Sequence, residues 1–109
     1  MHGKDQYLGL VKTDDCHIIF CKHSRRFTLT YKCSCASLSP EELEYFYLEL
    51  RTLKAGDFRH EYNGERLAVV KNRSVRADFI LSKHQVAELA HSVAESLTLL
   101  DALRFGVRG

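Results

Sequence analysis

No apolar run in this sequence approaches the roughly 18–20 residues needed to span a bilayer, so a membrane helix and a membrane partner are not expected. The opening residues, Met1-His2-Gly3-Lys4-Asp5-Gln6, have neither the basic n-region nor the apolar h-region of a secretory signal. Charge of one sign is also scarce. Sixteen Lys and Arg against 14 Asp and Glu leave a net +2, far from the basic balance of a dedicated nucleic-acid binder. The 6 glycines are scattered at turns and ends rather than gathered into a phosphate-binding loop. There is no nucleophile elbow, metal-binding histidine pair on a helix or dinucleotide fingerprint, so catalysis is not the expected role.

What is present reads as one domain. With 109 residues, 45% hydrophobic and 28% charged, folding buries roughly two-thirds of the unfolded surface around a single core. A cytosolic location follows as the expectation, and with it reduced thiols for the 4 cysteines.

Tyr7–Lys12 and Cys16–Cys21 read as strands separated by the turn cluster Thr13-Asp14-Asp15. After the polar turn Lys22–Arg26, one strand is expected from Phe27 to about Ala36. Its alternation would place Phe27, Leu29, Tyr31, Cys33 and Cys35 on one buried face. A helix then starts with Ser39 as N-cap, Pro40 in the first turn and Glu42 closing a capping box. Leu43, Phe46, Tyr47, Leu50 and Leu53 form its apolar stripe, and Gly56 is expected to end it. Phe58–Tyr62 and Glu65–Lys71 flank Asn63-Gly64, a strong hairpin signal. Val75–Leu81 is the last strand. Ser82 with Gln85 caps a final helix, with Val86, Leu89, Ala90, Val93, Ala94, Leu97 and Leu100 as its stripe and Gly106 as its end.

The two helix starts correspond at an offset of 43: Leu38-Ser39-Pro40-Glu41-Glu42-Leu43 matches Leu81-Ser82-Lys83-His84-Gln85-Val86. The same offset carries Phe46 onto Leu89 and Leu50 onto Val93. This pattern predicts an internal duplication of a β-β-β-α unit, with halves at about 7–56 and 57–106. The expected fold class is α+β, a largely antiparallel six-stranded sheet with two helices packed on one face.

Three groups of residues could carry chemistry. Cys16, Cys21, His23, Cys33 and Cys35 fall within twenty residues, and thiolate and imidazole are the ligands zinc prefers. A turn centred near Ser24 would put Cys16 opposite Cys33. Zinc knuckles, however, hold paired ligands on turns, whereas Cys33-Ser34-Cys35 sits in a predicted strand. Buried bystander cysteines are the preferred reading, ahead of a zinc site and a disulfide or redox role. Secondly, Lys22, Arg25 and Arg26 share one turn while Arg73 and Arg76, with Lys71, surround another, which would make a phosphate-binding rim if the two turns adjoin. Solvated turns explain the same residues more simply. Thirdly, Tyr45 and Leu48 lie opposite the main stripe of the first helix, as an interface would require. On the last helix, His84, Glu88, His91 and Glu95 read as a solvated outer side.

The segments Cys21-Lys22-His23-Ser24, Phe27-Thr28-Leu29-Thr30-Tyr31 and Leu38-Ser39-Pro40-Glu41-Glu42-Leu43 resemble an uncharacterised bacterial domain family of unknown function. The resemblance covers about a third of the chain. This chain has Ser24 where the family carries a second cysteine, which weakens any metal site carried over. The resemblance implies a small domain and supplies no activity.

The expected function is therefore a small non-enzymatic interaction or regulatory module that pairs with itself or with a protein partner and needs no cofactor. The alternative is a metal- or nucleic-acid-binding domain that uses the cysteine-rich hairpin and its basic turn.

Overall fold

The computed structural model describes residues 6–32, 34–72 and 77–108. The chain runs β1 (Tyr7–Lys12), β2 (Cys16–Cys21), β3 (Arg26–Tyr31), β4 (Ser34–Leu38), α1 (Pro40–Thr52), a 3₁₀ turn (Ala55–Asp57), β5 (His60–Tyr62), β6 (Glu65–Asn72), β7 (Ala77–Ser82) and α2 (Lys83–Arg108). The fold class is α+β. In place of one six-stranded sheet there are two antiparallel sheets, in the orders β1-β2-β3-β4 and β5-β6-β7, and β4 lies beside β7.

The extra strand arises because the expected long strand breaks at Lys32. That residue takes a φ of 54°, a left-handed conformation that reverses the chain, and Tyr31 pairs with Ser34 across the turn. The break shifts the alternation. Phe27, Leu29 and Tyr31 remain buried, but β4 buries Ala36 and Leu38 and exposes Cys35. Cys35 is therefore not on the buried face. Cys33 lies outside the described residues, as do Val75, Arg73 and Arg76.

The β2–β3 register pairs Cys21 with Arg26 and Cys16 with Tyr31, so Cys16 does not face residue 33. The connection is Lys22–Arg25, closed by a hydrogen bond from the Arg25 N–H to the Cys21 carbonyl at 2.8 Å, with Arg25 at φ 56°. At β1–β2 the register slips between Gly9 and Val11, a bulge that leaves Leu10 and Val11 both buried. Asn63 and Gly64 take φ values of 51° and 81° between the Tyr62–Glu65 pair, the two successive positive φ values of a type I′ hairpin.

Both helix starts close their capping boxes. Ser39 Oγ accepts the Glu42 N–H at 3.2 Å while Glu42 Oε1 accepts the Ser39 N–H at 2.7 Å. Ser82 and Gln85 repeat the exchange at 3.2 and 2.9 Å. The two glycines expected to end the helices do not do so. α1 stops when Leu53 turns extended (ψ 134°), and Gly56 falls within the 3₁₀ turn that follows. Gly106 lies inside α2.

The helices touch each other and brace both sheets. α1 packs on β3, β4 and β6, and α2 packs on β1, β2, β6 and β7. One cluster of buried side chains therefore draws from both halves, with Ile18, Phe27 and Leu29 from the first sheet and Phe79 and Leu81 from the second. The Phe46 and Phe79 rings meet at 5.2 Å between centroids, tying α1 to β7. Each such side chain contributes roughly 1.5–3 kcal/mol of burial. Residues related by the 43-residue offset, Phe46 with Leu89 and Leu50 with Val93, are all buried, although the first half has four strands and the second three.

Candidate functional site

Strand periodicity separates the cysteines. Cys16 and Cys21 open and close β2, five residues and about 17 Å apart, and an odd separation puts them on opposite faces of the sheet. Cys16 faces inward, 1% exposed, against α2. Burial pushes its thiol up from the ordinary value, with a hydrogen bond to Ser92 acting the other way. Cys21 is held below the ordinary value, first by a hydrogen bond with the Ser24 side chain and then by backbone hydrogen bonds with Ser24 and His23. Cys35 is exposed on the outer face, where the Thr30 hydroxyl donates to its sulfur at 3.7 Å. Among the described residues, no three His, Cys, Asp or Glu side chains come together as a metal would need.

Of the basic turn, Lys22 and Arg25 are exposed, with His23 between them. Arg26 is engaged elsewhere. Its guanidinium donates to the Ser37 hydroxyl at 2.9 Å, the Ser37 carbonyl at 3.0 Å and Glu42 at 3.2 Å. Because Glu42 also caps α1, Arg26 ties the start of β3 to the start of that helix. The second basic turn cannot be placed beside the first, since Arg73 and Arg76 lie outside the described residues.

On α2, Glu88 is not simply a solvated residue. It is half-buried and accepts the Tyr31 hydroxyl proton at 3.3 Å, with the exposed His84 at 3.7 Å on its other side. Tyr31 is 3% exposed, and burial together with the Glu88 charge pushes its hydroxyl up to about 12. The helix also buries two serines that the sequence pattern passed over. Ser92 sits at Cys16, and Ser96 is fully buried with no hydrogen-bond partner for its Oγ among the described residues.

The apolar surface lies elsewhere. Tyr45 and Leu48, three apart on one side of α1, are 49% and 57% exposed. On the second sheet the inward row is Ala68, Val70, Phe79 and Leu81, and the outward row contains Val69 and Ile80, which pair directly across β6–β7 and are 37% and 61% exposed. Tyr45 and Val69 line one open groove of about 530 Å³ together with His60 and Arg59. Leu48 and Tyr45 on the helix and Val69 and Ile80 on the sheet thus form an interrupted apolar strip, crossed by Glu49, Asp57, Arg59 and His60 in the groove between Tyr45 and Val69. Tyr62, on the same sheet face, is also exposed. The sequence signal for Val69 and Ile80 is the unbroken apolar runs Leu67-Ala68-Val69-Val70 and Phe79-Ile80-Leu81. A strand with one solvated face alternates instead.

No family model, curated protein or solved structure matches this chain. Among the described residues, no helix is long and apolar enough to cross a membrane.

Proposed function

We propose that this domain is a non-enzymatic interaction module that self-associates through the strip formed by Leu48, Tyr45, Val69 and Ile80. The observation that carries this reading is the directly paired, outward-facing Val69 and Ile80. The solvent side of an antiparallel sheet is ordinarily polar, and a contiguous apolar patch there marks an interface. A second copy suits the surface because Lys71 and Asp78, a cross-strand pair of opposite sign, lie on the same sheet face beside that apolar pair. A two-fold contact needs such self-complementarity, since each patch meets its own copy.

The metal- and nucleic-acid-binding alternative draws less support. Cys16 and Cys21 point to opposite sides of the sheet, and Arg26 is hydrogen-bonded to Ser37 and Glu42.

Sedimentation velocity over a concentration series tests the proposal. The native chain should show a concentration-dependent dimer that is indifferent to EDTA. Ile80→Lys and Leu48→Glu, both at exposed positions, should give monomers with unchanged circular dichroism. A native chain that stays monomeric to millimolar concentration would sink self-association, and a dimer untouched by either substitution would relocate the interface.

A further inference from the structure

A second groove, distinct from the apolar strip, opens where the end of α1 and the 3₁₀ turn approach the start of α2. It encloses about 330 Å³. Its floor is apolar, made by Leu50, Phe58 and Val86, all buried. Its rim is cationic. Arg51 comes from the last turn of α1, Lys54 from the following segment and Lys83 from the first position of α2. No carboxylate is among the described residues lining it, and none of the three cations forms an ion pair with a described carboxylate. Lys83 Nζ lies 5.9 Å from the Phe58 ring centroid, which holds that cation over the apolar floor. The N-terminus of α2 adds partial positive charge, offset by the C-terminus of α1 on the other side of the groove, so the three side chains supply the net cationic character.

Arg51 lies 5.7 Å from the Tyr47 ring centroid and the Asp57 carboxylate accepts the Lys54 backbone N–H at 2.7 Å, yet none of the three side-chain cations is ion-paired among the described residues. An apolar floor below these cations complements a ligand with an apolar body and an anionic head. Size narrows the class further. The volume lies at the lower end of small-ligand sites, about 300–1,000 Å³. We propose that this groove binds a free, single-chain amphipathic anion. A medium-length alkyl body rests on Leu50, Phe58 and Val86, and a carboxylate or phosphate head sits among Arg51, Lys54 and Lys83. The groove is open at its rim, so exchange is fast and the affinity modest.

The test is a titration of the full chain, followed by ¹H–¹⁵N correlation spectra, with octanoate, octyl phosphate, octanol and octylammonium. Octanoate and octyl phosphate should give saturating shifts at Phe58, Ala87 and Ala90, with a Kd at least about tenfold below that of octanol and further below that of octylammonium. Lys83→Glu should raise the octanoate Kd about tenfold or more. Ala87→Phe, at an exposed position, should fill the groove and abolish the shifts while leaving the rest of the spectrum in place. Octanol binding as tightly as octanoate, or no saturating shift at these residues, overturns the proposal. So does co-sedimentation with phosphatidylglycerol vesicles without octanoate binding, which would make the surface a membrane contact.

Discussion

The Tyr31 hydroxyl donates to Glu88 at 3.3 Å, joining the end of β3 to α2 across 57 residues of sequence. Beside it, Cys16 pairs with Tyr31 in the sheet and meets Ser92 one helical turn beyond Glu88. The contact is a polar anchor between the first sheet and the last helix, set at the margin of the core where Glu88 keeps part of its surface in water.

Tyr31→Phe should cost about 1–2 kcal/mol at neutral pH, because a hydrogen bond to a carboxylate is lost from a nearly buried site. The pH dependence has a definite sign. An unfolded tyrosine titrates near about 10, and the folded Tyr31 near about 12, so the folded state holds its proton more tightly. That stabilisation is complete below about pH 10 and is lost progressively as pH rises towards about 12, by up to about 1.4 kcal/mol per pH unit. Urea denaturation at several alkaline pH values should show the native chain losing stability faster than Tyr31→Phe. Parallel slopes would refute the assignment.

The cysteines should differ sharply towards iodoacetamide in the native state. Cys21, whose thiol is lowered by hydrogen bonds at the turn, should be alkylated at least about a hundredfold faster than Cys16, which is buried and shifted the other way. Peptide mapping by mass spectrometry after timed quenching measures both rates together. Equal rates would mean that β2 opens readily.

Ser96→Ala should be neutral or stabilising by about 1 kcal/mol, because it removes a buried hydroxyl that lacks a partner among the described residues. Chemical denaturation checks this. A loss of more than about 1 kcal/mol would show that Ser96 Oγ makes a hydrogen bond.

Glu42→Ala should cost about 1–2 kcal/mol, since one side chain serves both the Ser39 capping box and the Arg26 contact. Gln85→Ala removes a box without an ion pair and should cost less. Thermal unfolding of both variants provides the comparison, and the reverse order would show that Arg26 adds nothing.

Local chemistry by itself determined much of this protein. The strands at Tyr7–Lys12 and Cys16–Cys21, the Asn63-Gly64 hairpin and both capped helix starts are readable because each depends on residues adjacent in sequence. A capping box needs only a serine and a glutamate or glutamine three residues later. The stripe of α2 was equally legible: Val86, Leu89, Val93 and Leu100 are buried because helical period alone puts them on one side.

Tertiary structure decided what periodicity cannot carry. Lys32 carries no turn signature, yet its positive φ splits one expected strand into two and moves Cys35 to the exposed face. Burial of Ser92 and Ser96 depends on which sheet α2 crosses, and that crossing depends on contacts far apart in the chain. Val69 and Ile80 are apolar in any reading of the sequence. Only the pairing of β6 with β7, which turns the two away from the buried row of Ala68, Val70, Phe79 and Leu81, leaves them exposed side by side. The groove beside Phe58 has the same origin, since its floor and its three cations come from elements that meet only when α2 folds back on α1.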